Sequence, residues 1–194
     1  MGLYIDVHCH LHDPAFDADV DQVVERARKA GVVRIVTNGI SSETNRHCVE
    51  IAKRHDIVEA ALGWYPFDAL TKEEAATQKK TIDEEIEFIR DSKPIAIGEV
   101  GLDYKWGKDK KQQKEHFQKM IDLAKELDIP LIVHSRKAEE DAIEILESNS
   151  LKKVVMHCFN GNFRLVKRSA GNGWVFSIPT CINKNEHFQK LVRE

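Results

Sequence analysis

Apolar strand-like runs alternate with helix-like segments along the whole chain. This alternation constrains the fold more than any other feature. Tyr4 to Val7, Val32 to Thr37, Ile57 to Leu62, Pro94 to Glu99, Pro130 to His134, Lys153 to His157 and Trp174 to Ile178 read as seven strands. Between the first two, Val20, Val23, Val24, Ala27 and Ala30 recur at helical spacing before a terminating Gly31. Ser42 can cap a helix reaching His55. Thr71 and Glu74 have capping-box spacing and open a long charged helical region to Arg90. Asp109 can cap a helix through Leu127, and Lys137 to Glu147, Asn162 to Ala170 and Asn185 to Arg193 complete the helices. Strict alternation means parallel strands joined by crossover helices, which leaves an open doubly wound sheet or a (β/α) barrel. The first strand–helix turn has no GxGxxG and no P-loop, and this weighs against a nucleotide-binding open sheet. No linker-like or low-complexity tract interrupts the pattern, so one α/β domain over residues 1–194 is expected, with seven βα units.

Composition excludes several function classes. Hydrophobic residues make up 42% of the 194, which is enough for a core and argues against a disordered chain. The net charge of -3 excludes a uniformly basic nucleic-acid binder, so any such contact must be local. No apolar run approaches the ~20 residues of a membrane span. The amino terminus enters a strand pattern directly, so a cytoplasmic protein is expected. Cys9, Cys48, Cys158 and Cys181 form no CxxC pair and read as reduced, mostly core thiols.

Chemistry gathers at the ends of the strands. The first run continues into Asp6-Val7-His8-Cys9-His10, where strand alternation puts Asp6, His8 and His10 on one face. Two histidines at i and i+2 can chelate one ion. The fourth, fifth and sixth strands stop on Glu99, His134 and His157. In a (β/α) barrel such ends converge on one mouth, where active sites lie. Five candidate ligands exceed the needs of one tetrahedral ion. They suit two divalent ions, His8 and His10 on one, His134 and His157 on the other, with Glu99 bridging. Imidazole-rich ligation favours zinc or manganese over calcium, with magnesium also open. Asp6, one inward step deeper, is expected to orient an imidazole. His12, His47, His55, His116 and His187 read as mostly solvated, His12 being nearest the mouth.

Four stretches carry a resemblance: Asp6-Val7-His8-Cys9-His10-Leu11, Gly98-Glu99-Val100-Gly101-Leu102-Asp103-Tyr104, Val133-His134-Ser135-Arg136 and His157-Cys158-Phe159-Asn160-Gly161. In this order and spacing the chain resembles the TatD-type metal-dependent deoxyribonucleases, a branch of the amidohydrolase-like TIM barrels. The resemblance implies metal ligands at His8, His10, Glu99, His134 and His157, catalytic roles for Glu99, Asp6 and Arg136, and substrate contacts from Tyr65, Asp103, Arg136 and Asn160. It implies hydrolysis of DNA phosphodiesters, often from the 3′ end of a single strand. Two features depart from the family pattern. Gly63-Trp64-Tyr65-Pro66 stands where many members have Gly-x-His-Pro, so Tyr65 takes the place of a polar substrate contact. The family closes its barrel with an eighth strand ending in Glu-Thr-Asp, whose Asp is a ligand and general base. The sequence stops at Glu194, before such a strand, and is short of the ~250 residues of a typical barrel.

The surroundings of the expected site are cationic and aromatic. Arg136 and Lys137 follow His134, and Lys105, Lys108, Lys110 and Lys111 follow the Glu99 strand. They could hold a phosphate backbone at the mouth or form a solvated helix start. Trp64, Tyr65, Tyr104 and Trp106 could each stack on a base or pack beneath a loop. Two other function classes stay open. An amidohydrolase-like barrel could act on another ester or amide, such as a D-aminoacyl-tRNA, although no lysine ends a strand to be carbamylated. A chain without the last strand could also be a catalytically impaired metal-binding fragment. An incomplete barrel would leave bare strand edges, which a homo-oligomer could cover.

Overall fold

The computed structural model describes residues 2–193 and turns the alternation into one sheet of seven parallel strands in sequence order. These are β1 (Tyr4–Cys9), β2 (Val32–Asn38), β3 (Val58–Leu62), β4 (Ala96–Asp103), β5 (Leu131–Arg136), β6 (Val154–His157) and β7 (Val175–Ser177). The helices are α1 (Val20–Lys29), α2 (Ser42–Arg54), α3 (Lys72–Ala76), α4 (Ile82–Ser92), α5 (Lys110–Leu127), α6 (Glu139–Ser148), α7 (Phe163–Gly171) and α8 (Glu186–Arg193). Each strand pairs with the next, from β1 with β2 to β6 with β7. Unbroken sequential order bends a twisted parallel sheet into a barrel wall. Seven strands curve into a nearly closed TIM-type barrel. Among the described residues no pairing joins β7 to β1.

Two apolar layers hold this wall. A small inner cluster takes Ala61, Ala96 and Ile132 from β3, β4 and β5, packed on Val36 and Val155. Small side chains fit where neighbouring strands converge; Ala61 pairs directly with Ala96. The larger layer lies between sheet and helices, where Phe117, Met120 and Ile121 of α5 meet Ile97, Val100 and Leu102 of β4. Every residue of β4 is buried, as a central parallel strand covered on both faces must be. All four cysteines are free, but only Cys48 is fully buried and Cys181 is exposed, so core thiols are a minority.

Three boundaries differ from the sequence expectation. The charged region after Thr71 is not one helix. It breaks between α3 and α4 because Thr81 and Glu84 form a second capping box. The broken segment is also pulled toward the start of α2, where Lys79 N–H donates to Ser42 Oγ at 2.7 Å and Ser42 N–H to Gln78 Oε1 at 3.1 Å. β4 and β5 run past Glu99 and His134, so both residues sit within their strands rather than at the last position. The continuation of β4 relies on Gly101 at φ +140°, where a Cβ would lie 2.0 Å from the His134 carbonyl oxygen.

Candidate metal centre

The barrel topology brings the C-terminal halves of β1, β4, β5 and β6 to one mouth. A cavity of about 660 Å³ opens there, lined by His10, Glu99, His134, Arg136 and His157 on the strand side and by Tyr65, Leu70 and Trp106 from loops. At its floor His8 Nε2 and His10 Nε2 lie 3.2 and 3.3 Å from the same Glu99 oxygen, Oε2. The other oxygen, Oε1, lies 2.8 Å from His134 Nδ1. One carboxylate therefore presents each oxygen to a different set of imidazoles. His8, His10 and Glu99 supply ligand atoms within 4.8 Å of one another. His157 stands against this group with its ring stacked on His8, centroids 3.4 Å apart.

Further contacts orient these imidazoles. His10 Nδ1–H donates to the Asn38 carbonyl at 2.9 Å, which turns the ring so that Nε2 faces Glu99 Oε2. His157 Nδ1 lies 3.1 Å from Ser177 Oγ and leaves Nε2 unengaged by that contact. His134 Nε2 donates to Asp103 Oδ2 at 3.2 Å and lies 3.0 Å from the Tyr65 hydroxyl. Asn38 and Ser177 end β2 and β7. Ser177 answers the rule that flagged Glu99 and His134, a polar residue closing an apolar strand, whereas Asn38 acts through its backbone carbonyl, which no residue type announces.

Burial and charge set the protonation of the centre. Burial pushes the Glu99 carboxyl up, but hydrogen bonds from His10, His134 and His8 outweigh it and hold the group well below the usual carboxylate range. Burial disfavours charge on His134, yet Asp103 and Glu99 on its two sides raise it to about 9. His157 lacks such a direct carboxylate partner, and burial takes it down to about 3. Burial pushes the Tyr65 phenol up, reinforced by the charges of Glu99 and Asp103, so it stays a neutral donor. The buried Nδ1 of His8 has no hydrogen-bond partner, and the floor offers two imidazole nitrogens beside an ionised oxygen. That donor set fits a divalent transition ion.

Several expected positions are revised. Asp6 does not orient an imidazole. Its Oδ1 accepts the backbone N–H of His8 at 3.0 Å, because register shifts in β1 between Asp6 and Cys9 break the alternation that would align the two side chains. Asp103 is fully buried with both oxygens occupied, so it fixes His134 and its own loop rather than meeting substrate. Asn160 is exposed and folds back to donate to the Cys158 carbonyl at 2.8 Å. Lys105, Lys110 and Lys111 do not line the cavity; they lie over Trp106, over Tyr104 and beside Glu115. His12 is buried with Nδ1 3.4 Å from Cys48 Sγ, and His55, His116 and His187 are half-buried and hydrogen-bonded, so of these five histidines only His47 is openly solvated. Asp13, Asp68 and Glu74 also line the mouth, with no motif to announce them.

With this geometry in hand, comparisons with known proteins converge. The family model described as TatD related DNase matches residues 5–194. The chain is 39% identical to the metal-dependent hydrolase YabD of Bacillus subtilis, over 99% of this chain and 75% of that one. It is 35% identical to the human deoxyribonuclease TATDN3, over 100% of this chain and 74% of that one. It is 33% identical to the 3′-5′ ssDNA/RNA exonuclease TatD of Erwinia tasmaniensis, over 96% and 71%. Among solved structures, the TatD homologue YjjV of Escherichia coli superposes with a TM-score of 0.81 at 26% identity, covering 97% of this chain and 73% of that one.

Proposed function

The chain belongs to the TatD-related deoxyribonuclease family, and on that premise we propose that it hydrolyses phosphodiester bonds at the end of single-stranded DNA with two divalent cations at the barrel mouth. It is a metal-dependent hydrolase by its family. The observation that carries the finer reading is Glu99, whose Oε2 faces His8 and His10 while Oε1 faces His134. His8, His10 and Glu99 would hold one ion, and Glu99, His134 and His157 the second, with zinc, manganese and magnesium as the candidates. Bound there, such ions supply Lewis acidity to a phosphate oxygen and acidify the attacking water.

The chain's own groups do the rest. Arg136 is exposed on the cavity wall, where its guanidinium can grip a phosphate through two parallel N–H donors. Tyr65, on the same wall, stays protonated and gives its hydroxyl proton to Asp103 Oδ2 at 3.2 Å, which steadies the Asp103–His134 pair. Asp103 and Asn38 keep the rings of His134 and His10 in their working orientation. We place the site of action in the cytoplasm, which suits four free cysteines; no described helix is long and apolar enough to cross a membrane.

The test is cleavage of single strands labelled at either end, by protein stripped with chelator and reloaded with zinc, manganese or magnesium. Metal-dependent release of mononucleotides from the 3′ end is expected. If the reloaded protein leaves DNA intact but opens cyclic amides or aminoacyl esters, the substrate assignment is wrong.

A further inference from the structure

Of the four aromatic residues near the mouth, three are already engaged. Trp64 is buried and its indole N–H donates to His116 Nδ1 at 3.2 Å. The Tyr65 hydroxyl is bound to Asp103. The Tyr104 hydroxyl donates to Asp141 at 2.8 Å, with the Lys110 ammonium 4.4 Å from its ring centroid. Trp106 makes no side-chain hydrogen bond among the described residues, and its one ring contact is the Lys105 ammonium, 4.6 Å from the indole centroid. Trp106 is 57% exposed and lines the same cavity as Glu99, His134 and Arg136.

An exposed indole on a mobile loop would mean little, but the loop that carries Trp106 is fastened. The N–H groups of Lys105 and Trp106 donate to Asp103 Oδ1 at 2.9 and 3.0 Å, and that of Gly107 donates to the Asp103 carbonyl. Those of Lys108 and Asp109 donate to Asp68 Oδ2. Five consecutive amides are thus tied to two aspartates. The other oxygen of Asp103 receives His134, so one buried carboxylate sets both the candidate ligand and the indole. A rigid flat apolar surface held in water beside a phosphate-sized polar floor costs little further ordering when a ring stacks on it.

We infer that Trp106 is the stacking platform for the nucleobase of the terminal nucleotide, the one next to the phosphodiester held at the floor. The inference rests on the nuclease reading above and adds the subsite that reads the base. Stacking accepts any base, since every base has a π-face, so sequence preference should be weak. Asp13 and Glu74 also line this cavity, where they repel a further phosphate and suit a nucleotide ending in a hydroxyl.

Steady-state cleavage of a short oligothymidylate by the metal-loaded protein and its Trp106→Ala and Trp106→Phe variants tests this, alongside the same strand with an abasic terminal residue. Trp106→Ala should raise KM about tenfold with kcat little changed, and Trp106→Phe should recover most of the loss. The abasic terminus should raise the wild-type KM by a similar factor and add nothing in Trp106→Ala. A second readout is binding in chelator. Trp64 and Trp174 are buried, so quenching by the oligonucleotide should come from Trp106 and should fail with the abasic strand. An unchanged KM in Trp106→Ala, additive effects of the two changes, or base-independent quenching would each overturn the platform. Loss of all cleavage with base-dependent quenching intact would instead sink the nuclease reading and leave the platform standing.

Discussion

Glu99 carries more of the site than any other side chain, because its two oxygens are divided between two groups of imidazoles. Glu99→Ala should therefore empty both metal positions, whereas His134→Ala should weaken chiefly one; metal content after gel filtration reads the difference. Two ions retained by Glu99→Ala at unchanged affinity would end the bridging role. In the proposed function Arg136, on the cavity wall, grips the phosphate. Removing one such contact to a single strand should flatten the slope of log affinity against log salt by about 0.7. An unchanged slope for Arg136→Ala would move the phosphate elsewhere. The histidines also predict a pH profile for the metal-free protein. His134, raised to about 9, contributes stability below its ordinary 6.5 that is lost as pH climbs toward 9. His12 and His157, lowered to about 3 chiefly by burial, favour the unfolded chain as pH falls below 6.5. The Tm of chelated protein should accordingly decline on both sides of the pH 6–7 region, and the alkaline decline should shrink in His134→Gln, leaving the smaller part that the raised His10 contributes. At this scale the cluster of His8, His10, Glu99, His134 and His157 was legible because imidazoles and a carboxylate closing apolar strands have no packing reason to be there. Asp6 was misjudged because a register shift in β1 cannot be seen in an alternating pattern.

At the scale of elements, β4 places the site and has the least freedom to change. Gly101 sits at φ +140° with the His134 backbone where a side chain would begin. Gly101→Ala combines a strained backbone, about 1–3 kcal/mol, with a clash that parts β4 from β5. In a domain of this size the strain alone corresponds to a fall in Tm of about 2–12 °C, the clash adds to it, and metal binding should fall as well. Gly171 is the contrast. It closes α7 with no heavy atom within 4 Å of where a Cβ would stand, so Gly171→Ala should be neutral or stabilise by about 0.5–1 kcal/mol. Equal losses from the two glycines in thermal unfolding would show that helix propensity, not strand approach, governs both. Element identity was readable because the 2.0 and 3.6 periods differ and Thr, Ser, Asp and Asn caps mark helix starts. The break between α3 and α4 was not, since it is held by hydrogen bonds to Ser42, more than thirty residues away.

For the molecule as a whole, the sheet curves far enough to gather its ligands but leaves β1 and β7 as edges among the described residues. Tyr4 and Ile5 of β1 are 59% and 60% exposed, and Val175 of β7 is 57% exposed. Bare apolar edges with unpaired backbone groups invite another strand. A second copy of the chain is the occupant present at high local concentration in any purified sample, so concentration-dependent dimerisation is expected. Ile5→Lys, which puts a charge on that edge, should abolish it without touching the mouth. The same edge strand carries His8, while His134 and His157 stand on the internally paired β5 and β6. On the proposed two-ion site, an ion held by His8 and His10 should therefore bind more weakly than its neighbour. Any contact that orders β1 must tighten that ion by the same factor with which the ion strengthens the contact. Light scattering and metal titration on one sample measure both quantities. Raising protein concentration should raise the affinity of the weaker ion and leave the stronger one alone, and Ile5→Lys should remove the dependence. A protein that stays monomeric at every concentration, with two equally tight ions, would show that β1 is already as rigid as β5 and that the open edge has no part in holding metal.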